Sequence, residues 1–562
     1  MRETSSTRRA AAALAATALT TLGVVAATSR PAGAAAAWVP TGTRALRLVH
    51  ATPLGAPSPT RALRLTIGLA PRDRAGLDAL IRRQNTPGSA DYGRVLTPAQ
   101  FTARFAATAA TATSVRGYLR AQGMRNVTVA SNRLQVTALS TVAQAEHAFH
   151  TSIRRYRQSG RTVLANTRPA LVPATLRGAV TGVLGLSTLG FRTAAPIGLP
   201  KLTGYFPREF VKVYDAGRTK QGAGTTLAVF ADGALTQTIK DLRLAEARRH
   251  LPRVPVSLVH AGPRSRDTSG VDEWNLDTQT STGAAPYASR LYVYVSTSLT
   301  NADLARAINR WAAQDVARSG SASLGECDAL PFLDGSMAVD DIALAEAAAQ
   351  GQTFFASTGD TGSACAVAPT NGVPGAGLPD TEYPASSRYA VAVGGTTLDT
   401  DAKDNYVREI AWNAGGGGAS PVENGGYWQR GVVPTAAADV RGLPDIALDA
   451  DPNTGALIYV RGKVTQIGGT SLSSPLALGL WTRLQSSHGN RLGFAAPKLY
   501  RLYTKAQGST APVPPRSVRG FPDIIVGGNG AYAATPGWDY TTGLGSFDVD
   551  ALSAALGRRP AG

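Results

Sequence analysis

Four short apolar runs, at residues 227–230, 291–295, 353–356 and 390–393, limit most sharply what this chain can fold into. Each has the length of a buried strand. Ala-rich stretches with helical periodicity lie between them, clearest over 301–316 and 336–350. This alternation predicts an α/β fold, a parallel, doubly wound sheet with helices on both faces. In such sheets the loops at the strand C-termini carry the chemistry. Two Gly-rich loops stand in the right place, 357–363 and 468–471.

The upstream pattern differs. Residues 37–190 read as a small α+β unit of their own. A strand is expected over 62–69 and a helix over 73–83. Thr97 and Pro98 open a second helix as N-cap and first helical residue, and a third spans about 113–122. Short strands follow at 127–129, 134–136 and 152–153. Residues 191–204 read as a linker, and 205–562 as the larger domain.

The charge divides at the same place. Residues 1–200 hold 25 Arg, no Lys and 5 acids, whereas the rest holds 32 basic and 33 acidic residues. The net charge of +19 therefore belongs to the N-terminal third. A nucleic-acid binder needs its basic face on the domain that binds, and here the larger domain is neutral. His147 and His150 lie three apart, but a metal site needs further ligands; both are read as surface residues.

Residues 1–36 have the build of a secretory signal: Arg2, Arg8 and Arg9, an Ala-rich apolar run, then small residues suited to cleavage. Nothing later reaches the about 18–20 uninterrupted apolar residues that span a bilayer. The expectation is a soluble, secreted, monomeric protein with no membrane segment. Twin-arginine export is an alternative to the general route. An extracytoplasmic compartment permits a disulfide between the two cysteines, Cys327 and Cys365.

Four constellations carry chemistry. In residues 467–475, small residues let Ser471 stand at a helix N-terminus, where backbone N–H groups favour a developing oxyanion. A serine nucleophile needs a base. The six histidines, His50, His147, His150, His250, His260 and His488, sit in no Gly-rich loop suited to that task. Carboxylates are the alternative. Glu273 and Asp277, at i and i+4, share a helical face, and two acids that close raise each other's pKa. Asp360 follows an apolar strand in the turn Gly359-Asp360-Thr361-Gly362. Kept neutral, it could donate a hydrogen bond; taken alone, it is equally an Asx-turn residue. Asp523 and Asp539, sixteen residues apart among Gly-rich turns, suit an oxygen-ligated cation such as Ca²⁺, though not an EF-hand.

Together and in this order, these motifs resemble the sedolisin family of serine-carboxyl peptidases. The N-terminal unit, including residues 91–101, resembles that family's kumamolisin-type activation domain. The resemblance implies a subtilisin-like fold and a polypeptide substrate. It implies Ser471 as nucleophile, Glu273 as base, Asp277 as its orienting carboxylate and Asp360 as oxyanion-stabilising acid. It implies that Ser323, Leu324 and Gly325 pair with the substrate backbone. It also implies a Ca²⁺ site from the carboxylates of Asp523 and Asp539 with the carbonyls of Ile524, Thr535 and Gly537. Gly469 stands where many relatives carry Ser, and Thr535 where some carry Gly. Cys327 and Cys365 flank the substrate segment and the Asp360 loop, so a bridge between them is expected; two buried thiols are the alternative.

The reading is therefore a secreted, acid-active endopeptidase made as a proenzyme. Its prosegment is an intramolecular inhibitor, cut within the linker. A tripeptidyl exopeptidase and an inactive binding protein on the same fold are the alternatives. The charge division suggests a latch: a basic prosegment on an acidic cleft, loosened as acid protonates the carboxylates.

Overall fold

A computed structural model describes residues 37–48, 51–158, 160–193, 202–365, 379–435, 439–507 and 520–557. The signal expected over 1–36 and most of the linker lie outside them.

The larger domain is built on one eight-stranded sheet. Its strands are β5 (Thr226–Asp232), β6 (Val256–His260), β7 (Arg290–Ser296), β8 (Ser319–Ala322), β9 (Thr353–Ser357), β10 (Ala390–Thr400), β11 (Tyr406–Ala411) and β12 (Ile446–Asp449). The order is β6-β7-β5-β8-β9-β10-β11, with β12 also on β10. All pairings are parallel except β10 with β11. The four apolar runs became β5, β7, β9 and β10. They are apolar on both faces because helices cover both faces. Those helices include α5 (Thr236–Arg248), α6 (Val271–Ala284), α7 (Asn301–Gln314), α8 (Ser336–Ala349) and α9 (Thr470–Ser487).

Helix α8 shows how the two regions join. Thirteen of its fourteen residues are buried. A helix buried all round needs cover on every side. The central sheet supplies one cover and the N-terminal unit the other. That unit holds an antiparallel sheet of β1 (Ala62–Leu69), β2 (Arg125–Val129), β3 (Gln135–Thr141) and β4 (Val180–Leu184), in the order β2-β3-β1-β4. Helices α1 (Arg74–Asn85), α2 (Pro98–Arg104), α3 (Ala109–Ala121) and α4 (Val142–Ala148) accompany it. Thr97 caps α2 in a full capping box, with Pro98 in the first turn, as its sequence implies.

The sheet of this unit lies on α7 and α8. Close approach is possible at Gly68, where a Cβ would come within 2.4 Å of Val339. Leu77, Leu80, Ile81, Phe101 and Phe105 join the core cluster of the larger domain rather than a separate one. His147 and His150 are exposed, as expected.

Candidate active site

The C-terminal ends of β5, β8 and β9 face one cleft, and the N-terminus of α9 points into it. Gly469 precedes α9 with φ +98°, a conformation that favours glycine. Ser471 follows in the first turn, 2% exposed. Pro475 sits inside the same helix. Lacking an N–H, it cannot bond the carbonyl four residues back, which is that of Ser471. The Ser323 hydroxyl takes up that position, 3.2 Å from the Ser471 carbonyl oxygen. The proline of the motif thus opens a contact between nucleophile helix and substrate segment.

Helix α6 carries Glu273 in its first turn and Asp277 one turn on, both buried. The Ser471 hydroxyl lies beside the Glu273 carboxylate and favours its charged form. Ser323 Oγ donates to Asp277 Oδ1 at 2.6 Å. Both carboxyls lie well above the usual carboxylate range. Burial is the main cause for each; Asp277 adds repulsion on Glu273, and the Ser323 bond pulls Asp277 partly back. Glu273 Oε1 and Asp277 Oδ2 are buried without a partner. Buried oxygens in that state are costly, and a proton held on the pair relieves the cost.

Asp360 closes the site from the turn after β9. The Thr470 N–H and hydroxyl both donate to Asp360 Oδ1, each at 2.7 Å. Its carboxyl is raised by burial, against those two bonds. Both bonds fall on one oxygen, which leaves Oδ2 to carry a proton. Sequence reasoning did not single out Thr470, Pro475 or the Ser323 hydroxyl, although all three lie inside quoted motifs. Their partners are 46 to 148 residues distant.

The cysteines bridge. Cys327 and Cys365 form a disulfide with 5.7 Å between Cα atoms, tying the segment after Gly325 to the Asp360 loop. His488 lies at the far end of α9, about 25 Å along the helix from Ser471, and contacts Ser553.

One peptide already lies in the cleft. Residues 190–193, placed by sequence at the edge of the N-terminal unit and in the linker, run between two segments of the larger domain. Gly190 pairs antiparallel with Thr300, and Phe191 N–H donates to the Leu299 carbonyl at 2.9 Å. Arg192 and Gly325 exchange two backbone bonds of 3.1 and 3.2 Å. Gly325 thus pairs with a peptide backbone. Of its two neighbours, Leu324 is buried and Ser323 turns its hydroxyl to Asp277 and Ser471.

The second loop cluster assembles apart from the cleft. Gly537 N–H donates to Asp523 Oδ2 and Thr535 N–H to Asp539 Oδ2, each at 2.9 Å. Thr541 and Thr542 donate to Asp539 Oδ1. Ile524 is buried beneath, and Gly537 turns with φ +88°. The two carboxylates are close enough for Asp539 to raise Asp523.

Known proteins share these features. Residues 50–189 match the family "Pro-kumamolisin, activation domain", and residues 264–513 match the "Subtilase family". The chain is 36% identical to sedolisin of Pseudomonas sp. (strain 101) over 92% of both chains. It is 33% identical to xanthomonalisin of Xanthomonas sp. (strain T-22) over 87% of this chain and 65% of that one. A solved structure of Pseudomonas sedolisin, titled a serine-carboxyl proteinase, superposes with TM-score 0.58 and 36% identity, over 63% of this chain and 98% of that one. The chain belongs to the sedolisin family of serine-carboxyl peptidases.

Proposed function

We propose that this peptidase is a secreted, acid-active endopeptidase made as a proenzyme, with Ser471 as nucleophile and Glu273 as its base. One observation carries the reading: Ser471, Glu273 and Asp277 lie together, and Ser323 binds both Asp277 and the Ser471 carbonyl beside the segment that pairs with peptide backbone. Ser471 Oγ attacks the substrate carbonyl carbon, and its proton passes to Glu273. Asp277 holds the proton that relieves the pair. Asp360, protonated, donates from Oδ2 to the developing oxyanion. Collapse expels the amine, which takes its proton from Glu273. Water then attacks the acyl-enzyme by the same route. Groups held above the usual carboxylate range suit general acid–base work in acid.

The segment 190–193 supports inhibition in the manner of a substrate. Antiparallel pairing keeps the sum of paired residue numbers constant. A peptide bound like Arg192 on Gly325 therefore brings its residue two positions later opposite Ser323, beside Ser471. Gly325 then holds the third residue before the cut. Processing is expected after Ala194, which lies outside the described residues. The same register favours endopeptidase over tripeptidyl action. Gly190, the fifth residue before that cut, still pairs with Thr300, so the bound chain continues past the third position, where a tripeptidyl peptidase must stop it.

The Asp523/Asp539 cluster fits a hard oxygen-liking cation, which would offset burial of Asp523 and its repulsion by Asp539. Their carboxylates, with the carbonyls of Ile524, Thr535 and Gly537, would hold Ca²⁺. The ion supplies charge compensation that ties the C-terminal loops together.

The test is cleavage of a denatured protein from pH 2 to 8 after acid incubation, with Ser471→Ala beside wild type. The expected result is acid-limited activity, about 10⁴-fold or more lower in the variant, whose chain stays unprocessed. Full activity in Ser471→Ala sinks the assignment.

A further inference from the structure

Between the docked segment, residues 158–189 of the N-terminal unit and the larger domain lies a cavity of about 720 Å³, whose larger-domain wall stays after processing. Its walls include Phe191 and Thr193 of the segment, Asp232 and Thr300 of the larger domain, and Asp267 and Gly270 from the loop between β6 and α6. In an extended chain alternate side chains share a face. Phe191 is buried, 4% exposed, whereas Arg192 is exposed at the cavity's edge and acts on Glu326 and Glu382. Thr193 returns to the inner face. In the register derived above, Thr193 stands for the second residue before the cut. It is small, and the cavity continues past it.

The far wall is acidic and built. Asp232 ends β5, 7% exposed, with the Trp274 side chain beside its carboxylate. Trp274 is the neighbour of Glu273 on α6. The Asp267 loop is pinned to the same strand end: Ala234 N–H donates to the Asp267 carbonyl at 2.6 Å. Asp267 Oδ1 accepts from Ser269 N–H at 2.9 Å. A third acid nearby, Asp303, is paired with Arg306. Asp232 and Asp267 are therefore the carboxylates left to face the cavity. In the proenzyme a cation already stands there: Arg161 of the N-terminal unit lines the same cavity and acts on Asp267.

We infer that Asp232 and Asp267 form a specificity pocket for a basic side chain, Arg or Lys, at the second substrate residue before the scissile bond. This rests on the proposed function, because the register is counted from Ser471. The two acids divide the pH range. Asp267 is held below the usual range, first by its bonds to Ser269 and then by Arg161, so it stays ionised in acid. Asp232 is raised to about 6, by burial and then by Asp267 and Asp303. Preference for a basic residue therefore exists at pH 4 and grows as pH passes 6. No step of the chemistry involves either acid; both act on binding.

The test uses the acid-processed enzyme and peptide pairs that differ only in Arg or norleucine at that position. The expected kcat/KM ratio favours Arg by about tenfold at pH 5 and more at pH 6.5. In Asp267→Asn the ratio falls, most at pH 5, and in Asp232→Asn it loses its rise with pH. Asp267 is exposed, so its variant folds even where the buried one does not. Equal rates on both peptides in wild type overturn the inference, as does an undiminished ratio in Asp267→Asn. Failure to cut either peptide at any pH sinks the proposed function instead, which keeps the two apart.

Discussion

The N-terminal unit and the larger domain treat charge in opposite ways. The first is rich in Arg and keeps it at the surface or on partners. Arg74, Arg83 and Arg154 pair with Asp78, Asp91 and Glu146 of the same unit. Three Arg that cross to the larger domain lie over rings, Arg44 on Phe332 at 4.4 Å, Arg74 on Tyr389 at 5.1 Å and Arg82 on Tyr427 at 5.2 Å, while Arg161 acts on Asp267. Lys498 and Arg501 return the contact on Tyr92. The larger domain instead buries carboxyls. Asp328 is raised to about 7 and Glu382 to about 8, both chiefly by burial. Cation–ring attraction is indifferent to pH across the acid range; buried carboxyls are not.

The interface also holds a contact of the opposite pH sense to the latch suggested by the charge division. At the interface Asn132 Nδ2 donates to Glu346 Oε2 at 2.6 Å, and burial raises Glu346 to about 8. Once the N-terminal unit leaves, α8 meets water and Glu346 returns toward the ordinary range. Docking thus takes up a proton, and acid favours it.

The largest effect that could break this contrast is catalytic. Glu273→Gln should lower kcat at pH 4 by about 10³-fold or more, with processing arrested alike. A small effect would mean that the buried acids only shape the fold.

Stability comes next. The buried carboxyls have folded pKa values above their unfolded values near 4. Their contribution is whole below that range and is lost as pH rises through 6 to 8. The Tm of Ser471→Ala should therefore fall by about 5–10 °C between pH 5 and pH 8. A Tm that rises over that interval would reverse the picture. Chelation of Ca²⁺ or Asp539→Asn should lower the Tm by about 3–6 °C at fixed pH, as loss of a bound ion does.

The smallest effect sharpens the other side. Arg82→Ala should shorten the lag before activity appears by about threefold, equally at pH 4 and pH 6. A shortening confined to pH 6 would restore an electrostatic latch.

Much of this was legible from spacing alone. The strand–helix alternation announced the parallel sheet, because a buried strand must be apolar on both faces. Glu273 and Asp277 announced a shared face, because i and i+4 always meet on a helix. Thr97-Pro98 announced a helix start by local bonding. The sequence also placed the linker at 191–204, but had no means to put residues 191–193 in the cleft. That needed pairing with Leu299 and Gly325, more than a hundred residues away.

What the sequence determined by itself is therefore what neighbours in the chain decide: element type, helical faces, and the order in which the reactive residues arrive. Only the tertiary structure decided which hydroxyl meets Asp277, which oxygen of Asp360 is left for a proton, and that Asp232 shares a cavity with Asp267. Those are contacts between segments whose spacing carries no period, and they exist only once the sheet brings its strand ends together.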